Sequence, residues 1–282
     1  MAKGGVSCGA VIAALAVWAS AFGGETVRTA EGGALRERIA RAHKIVGEDM
    51  WYGFRRTKFA FDGYVGWVVE PSVAPAEGHP WTWTMQWADA FVVRTGVPEL
   101  LRRGWRHVTL EAFAGRASDA DLGKFAAFQK FLVDELGFAP KAHLVGMSWG
   151  GFFSTRYAAH HPENVAKIYL DAPLMNFAGY TDNTVQKVGP WAAEKPQGKT
   201  WSDDPRMPVN LAAPIAKAGI PVLLAYGGQD QTVTPSLNCE LFVPRFKAAG
   251  GSIDVRYRYF FGHHPHGFDP EDNPIVSFFE AK

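Results

Sequence analysis

Ser148 is the residue around which chemistry could be built in this chain. It is the centre of a Gly-x-Ser-x-Gly pentapeptide, Gly146, Met147, Ser148, Trp149 and Gly150, set between a strand-like run ending at Val145 and a helix-like run from Phe152 to His160. At a sharp strand-to-helix turn a serine is held in a strained conformation with its hydroxyl exposed, and flanking glycines let neighbouring backbone approach without Cβ clashes. The start of the helix points N–H groups at the same spot, so the Trp149 backbone amide can donate to an oxyanion. The pentapeptide alone also describes an ordinary glycine turn; the strand before it and the helix after it decide for a nucleophile.

A serine hydroxyl is a poor nucleophile at neutral pH and needs a base and an acid to orient that base. Asp230 follows the apolar run Pro221 to Tyr226 through Gly227, Gly228 and Gln229, a loop at the carboxyl end of a strand, where parallel sheets place functional groups. His263 follows the next strand-like run, Val255 to Phe260, through Phe261 and Gly262. Asp230 has an ordinary reading as a turn aspartate bonding its own backbone, which does not preclude an orienting role. Asp171, at the end of the preceding strand, is the rival acid; Asp230 is preferred because its strand lies immediately before that of the histidine. From the residues alone either His263 or His266 could face Ser148. No Cys or carboxylate stands at ligand spacing beside these histidines, so neither a metal nor a cofactor is expected.

The elements that must position these groups read as an α/β chain. Leu35 to Val46 has apolar residues at helical spacing and predicts a surface helix. Arg56 to Phe61 and Tyr64 to Glu70 predict an antiparallel hairpin with Asp62 and Gly63 in its tight turn. Trp81 to Trp87 alternates and predicts a strand. Strands then alternate with helices: Trp105 to Glu111, a helix capped by Ser118 and Asp121 and stopped at Gly137, His143 to Val145, the helix to His160, Ala166 to Leu170, Pro221 to Tyr226, Val255 to Phe260, and a closing helix from Asn273 and Pro274 to Ala281. That order predicts a mostly parallel sheet with helices on both faces and the antiparallel hairpin at its start. Leu174 to Ala218 has no clean period and several prolines, so it is expected to be a small lid-like insertion over one end of the sheet.

Charge and composition remove other classes. The net charge over 282 residues is +1, with 29 Lys plus Arg against 28 Asp plus Glu, which gives no footprint for nucleic acid or an anionic membrane. The 47% apolar content excludes a disordered chain. Lys3, the apolar stretch Val11 to Ala19 and the small-x-small site Ala19, Ser20, Ala21 predict a signal peptide over residues 1–21 and a mature domain over 22–282, secreted or periplasmic, with no membrane span once the signal is removed. Cys8 leaves with that segment, so Cys239 stands alone and no intramolecular disulfide is expected.

The stretches Gly146 to Gly151, Gly227 to Asp230 with Val233 and Pro235, and Gly262 to His266 resemble serine hydrolases of the α/β-hydrolase fold, whose chain order of nucleophile, acid and base is that of Ser148, Asp230 and His263. More narrowly, Pro80 to Trp83, Asp171 to Pro173, and Gly262 to His266 with Pro274 to Val276 resemble secreted bacterial α/β-hydrolases described as esterases or as prolyl-oligopeptidase-like. The resemblance runs from Trp81 to Phe279. It implies His263 as the base, since the catalytic histidine of such enzymes directly follows a glycine with x-Pro-His behind it, and makes His266 secondary. Two departures stand out. The His-Gly pair of many lipases is missing after Trp87, which leaves the second oxyanion donor unassigned among the backbone amides between Thr84 and Trp87. Trp149 and Thr84 stand where the subgroup often has arginine.

Acyl transfer to water through an acyl-enzyme is therefore expected. Ten tryptophans are a heavy load for this length. Trp51, Trp67 and Trp105 are expected in the core, Trp81, Trp83, Trp87 and Trp149 around the oxyanion site, and Trp191 and Trp201 in the insertion. Trp83 and Trp87 are the expected substrate contacts. Sugars stack on such rings, so the substrate expected is a small-molecule or glycan ester, most specifically an acetylated carbohydrate. An exo-acting peptidase or a lipid esterase is the alternative within the fold. A non-catalytic fold that binds glycans or a partner is the alternative outside it.

Overall fold

The computed structural model describes residues 30–178, 188–194, 200–263, 268 and 273–282. The signal segment expected over 1–21 lies outside them. In chain order the elements are α1 (Ala30–Ala42), β1 (Ile45–Trp51), β2 (Phe54–Phe61), β3 (Tyr64–Val69), β4 (Trp81–Thr84), α2 (Val97–Arg102), β5 (Arg106–Leu110), α3 (Asp119–Asp134), β6 (Ala142–Met147), α4 (Trp149–His160), β7 (Val165–Asp171), α5 (Ala212–Lys217), β8 (Val222–Gly227), α6 (Cys239–Ala248), β9 (Ile253–Arg258) and α7 (Pro274–Glu280).

The nine strands form one sheet in the order β1-β2-β3-β5-β4-β6-β7-β8-β9. β1, β2, β3 and β5 pair antiparallel, and every pairing from β5–β4 to β8–β9 is parallel. The chain steps over one position from β3 to β4, returns through α2 to β5, and then crosses to β6 on the other side of β4. Strand order thus reverses at β4 and β6, and the carboxyl ends of these two neighbours open the crevice in which such sheets bind ligands. Thr84 pairs with Val145 in that register, and Met147 pairs with Asp171 across β6 and β7.

Burial follows from this layering. On one face α1, α3, α4, α5 and α6 close a core that holds Ile39, Phe125, Phe128, Phe152, Ile215 and Phe242; on the other, α2 and α7 close a smaller one with Leu100, Leu101, Ile275 and Phe279. The central strands, covered on both sides, are buried along their length, whereas β1 and β9 at the edges are largely exposed. Among the described residues no helix is long and apolar enough to cross a membrane.

Local chemistry explains several elements. Asp62 and Gly63, at φ 44° and 83°, make the tight turn between β2 and β3. Ser118 and Asp121 form a capping box on α3, and Asn273 caps α7 by accepting from the Ile275 amide. Some boundaries differ from expectation. The first helix ends at Ala42 and the chain from Ile45 pairs as β1, an exposed edge strand with no apolar alternation to announce it. β4 stops at Thr84 because Trp87 takes φ 62° and turns the chain out of the sheet. α2 has six residues, too few for a period, and α6 carries Pro244 inside it, which masks a helix in sequence.

Candidate active site

The turn after β6 puts Ser148 at φ 50° and ψ −117°, a conformation costly for a residue with a Cβ. Three backbone bonds hold it there: the Ser148 amide donates to Asp171 O at 2.9 Å, and Ser148 O accepts from the amides of Gly151 at 2.9 Å and Leu174 at 2.8 Å. Gly151 is required by a close approach, since a Cβ there would lie 2.2 Å from the Cβ of Pro173. The strain is thus anchored by the end of β7 and by the chain that follows it.

Ser148 Oγ donates to His263 Nε2 at 3.0 Å, and His263 Nδ1–H donates to Asp230 Oδ2 at 2.7 Å. The loops after β6, β8 and β9 supply these three side chains from the carboxyl ends of parallel strands. Asp230 uses its oxygens separately: Oδ1 accepts from the Thr232 and Val233 amides, each at 2.9 Å, while Oδ2 faces the imidazole. The turn-forming and orienting readings of this aspartate therefore both hold. Burial raises the Asp230 carboxyl, but the hydrogen bond from His263 and the two amides outweigh it, and its pKa lies below the usual carboxylate range. An ionised acceptor at Oδ2 fixes the proton on Nδ1 and leaves Nε2 to accept from serine.

The rival acid lies elsewhere. Asp171 is fully buried, accepts from the Tyr169 hydroxyl at 2.8 Å, and is pushed up to about 7 by burial. His266, like His264, lies outside the described residues, so the imidazole that the structure brings to Ser148 is that of His263.

Ser148 and His263 open into a pocket of about 270 Å³ walled by Trp87, Ala90, Phe91 and Met147. Of the two tryptophans expected to touch substrate, only Trp87 reaches this pocket, with 40% of its surface exposed. Trp83 corrects the expectation. It is wholly buried among Phe125, Phe128 and Tyr157, with ring centroids 5.3–6.2 Å apart, because β4 is a central strand covered on both faces. Trp81 is also core and donates Nε1–H to Ala139 O at 2.8 Å. The Trp149 ring is wedged against Phe113, Phe152 and Phe177, so its offering to the site is its amide, at the first position of α4 where no intrahelical acceptor exists.

Trp191 and Trp201 are buried as well. Trp191 packs on Phe152 and Phe177 with the Arg156 guanidinium 4.5 Å from its ring centre, and Phe177 also carries Trp201. The described part of 174–218 therefore packs on α4, and none of it lines the pocket at Ser148. Among the amides considered as second oxyanion donors, that of Met85 is spent on Val145 O at 3.2 Å. The chain just beyond it presses on the elbow, where a Cβ on Gly150 would lie 3.4 Å from Gln86 N. Phe91 and Met147 were not singled out in sequence. Phe91 reaches the wall through a positive φ of 50° on a loop without periodicity, which carries no sequence signal. Among the described residues no group of His, Cys, Asp and Glu is arranged to hold a metal ion.

A family model described as alpha/beta hydrolase fold matches residues 96–196. No curated protein matches the sequence. Solved structures match across most of the chain. A protein assigned as a dipeptidyl aminopeptidase IV from Bacteroides ovatus is similar at TM-score 0.61 and 17% identity, covering 80% of this chain and 35% of its own. The acylaminoacyl peptidase of Pyrococcus horikoshii gives TM-score 0.59 at 12% identity over 87% of this chain and 43% of its own. An S-formylglutathione hydrolase from Agrobacterium tumefaciens gives 0.53 at 16% identity over 84% and 95%. The chain thus spans less than half of the two peptidases and nearly all of the third protein. At these identities the likeness speaks for the fold, and with the reversed sheet order and the strained serine after β6, it establishes that this chain has the α/β-hydrolase fold.

Proposed function

We propose that the protein is a serine hydrolase that cleaves a carboxylic ester. The observation that carries this reading is the unbroken relay from Ser148 Oγ through His263 to Asp230, at 3.0 and 2.7 Å, opening into a pocket. His263 takes the serine proton as Oγ attacks the carbonyl, Asp230 stabilises the imidazolium, and the Trp149 amide donates to the oxyanion. His263 returns the proton to the leaving alcohol. Water, deprotonated by the same imidazole, then hydrolyses the acyl-enzyme.

The solved neighbours are named as a hydrolase and as peptidases, so fold does not choose the scissile bond and the pocket must. Its walls are apolar and its volume of about 270 Å³ suits a small acyl group. An acetyl ester of a carbohydrate is the substrate class we assign, supported by the exposed Trp87 ring beside the nucleophile and by the export signal expected over residues 1–21, which favours a secreted or periplasmic protein.

A fluorophosphonate probe tests the chemistry directly. Labelling is expected in the native protein and lost in Ser148→Ala; a native protein that stays unlabelled would mark a binding-only fold. Acetate release from a panel of acetylated polysaccharides then tests the substrate class.

A further inference from the structure

Trp87 lines two hollows. One is the pocket at Ser148; the other, of about 490 Å³, shares Trp87 and Ala90 with it and continues toward β3 and β5. We propose that this second hollow is the subsite for the alcohol part of the substrate, and that it is built for a neutral, hydroxyl-bearing ring of the pyranose type. This deepens the carbohydrate-ester reading above and rests on it for the acyl end only.

The lining argues for that chemistry. Gln86 lines the hollow and is 6% exposed, and its Nε2, turned out of solvent's reach in the wall, has no hydrogen-bond acceptor among the described residues. A buried amide donor without a partner is costly, and rotation of the Gln86 side chain toward a ligand oxygen in the hollow would satisfy it. Two carboxylates share the lining, each half engaged. Asp89 Oδ1 accepts from Trp51 Nε1 at 2.6 Å and faces Arg56 at 3.5 Å, and Glu111 Oε1 accepts from Trp67 Nε1 at 3.0 Å. Asp89 Oδ2 and Glu111 Oε2 take no part in these bonds. The Trp87 ring, packed 4.7 Å from that of Phe113, adds an apolar face.

Competing ligands fit less well. An ammonium group has donors only, so it would meet the carboxylates and leave Gln86 Nε2 orphaned. A lipid chain would give nothing to Gln86 Nε2 and would cover the outer carboxylate oxygens, Asp89 Oδ2 and Glu111 Oε2, with hydrocarbon. An anion would face two carboxylates. A sugar hydroxyl both donates and accepts, and the C–H face of its ring packs on an indole.

Binding to the Ser148→Ala protein separates this from catalysis. Unacetylated trisaccharides of xylose, glucose, galactose and N-acetylglucosamine are titrated by calorimetry, and at least one is expected to bind, with affinity falling roughly tenfold in Ser148→Ala/Gln86→Leu. In the catalytically intact protein, Gln86→Leu and Glu111→Gln are expected to lower the ratio of kcat/KM for the acetylated trisaccharide to that for p-nitrophenyl acetate by a similar factor. Thermal melting of each variant guards against loss of fold. Binding of every trisaccharide weaker than about 10 mM, or an unchanged ratio in both variants, overturns the proposal. So does a selective loss in Glu111→Gln on alanyl-p-nitroanilide, which would make the hollow an amine site. Sugar binding without hydrolysis of any ester would instead sink the esterase reading and leave the subsite standing.

Discussion

Ser148, His263 and Asp230 depend on one another, and their removal should show it. Ser148→Ala and His263→Ala are each expected to lower kcat on p-nitrophenyl acetate by roughly 10³-fold or more, and the double variant little further, since the residues act as a unit. Near-full activity in His263→Ala would refute the assigned base. Two tryptophans of one short stretch divide sharply. Trp83 is wholly buried in the central core, so Trp83→Ala is expected to cost about 3–5 kcal/mol of stability in denaturant melts. Trp87→Ala is expected to change KM with little effect on the melting midpoint, because the ring is 40% exposed and borders both hollows. The reverse pattern would restore the expectation that Trp83 touches substrate.

Among the elements, β8 and β9 carry the acid and the base on loops tied to each other. The Gly228 amide donates to Arg258 O and the Gln229 amide to Phe261 O, both at 2.9 Å, so the position of His263 is set partly by the loop that holds Asp230. Gly227 lies beneath this junction, where a Cβ would stand 2.2 Å from Phe261 O. Gly227→Ala must therefore push the histidine loop outward. A displacement of about 1 Å costs roughly a hundredfold in rate, so kcat should fall by that order while the circular dichroism stays native; an unchanged kcat would show that the loops are uncoupled. These elements were legible in sequence where a local rule operates. Asp62-Gly63, the Ser118–Asp121 box and Asn273-Pro274 each announce a turn or cap through their own chemistry. β1, α2 and α6 were not legible, for want of alternation, of length and of a proline-free run.

For the whole molecule, the covered sheet buries a carboxyl group near the site. Burial pushes Asp171 up to about 7, and Glu70 likewise to about 7, against an unfolded value near 4. A group raised in the folded state favours folding fully below its unfolded pKa, and that contribution is lost as pH rises through about 7. The melting temperature is therefore expected to fall between pH 5 and pH 8. In Asp171→Asn, which cannot ionise, the fall should be smaller, with Glu70 supplying the remainder. An identical profile in the variant would show that Asp171 does not govern the slope.

By itself the sequence determined the alternation of strands and helices, the strained turn at Ser148 and the order of the three chemical groups. These follow from short-range rules: periodicity, capping, and glycine where backbone crowds. Only the tertiary structure decided which tryptophans meet solvent, that Asp230 rather than Asp171 faces the imidazole, and that Gln86, Asp89 and Glu111 border one hollow. Those facts depend on the reversal of strand order at β4 and β6, which sets which side chains are covered and which are left at the crevice. Of the tryptophans expected near the site, five are covered by helices, loops or neighbouring strands, and Trp87 alone, on the chain that leaves β4, stands where a substrate can reach it.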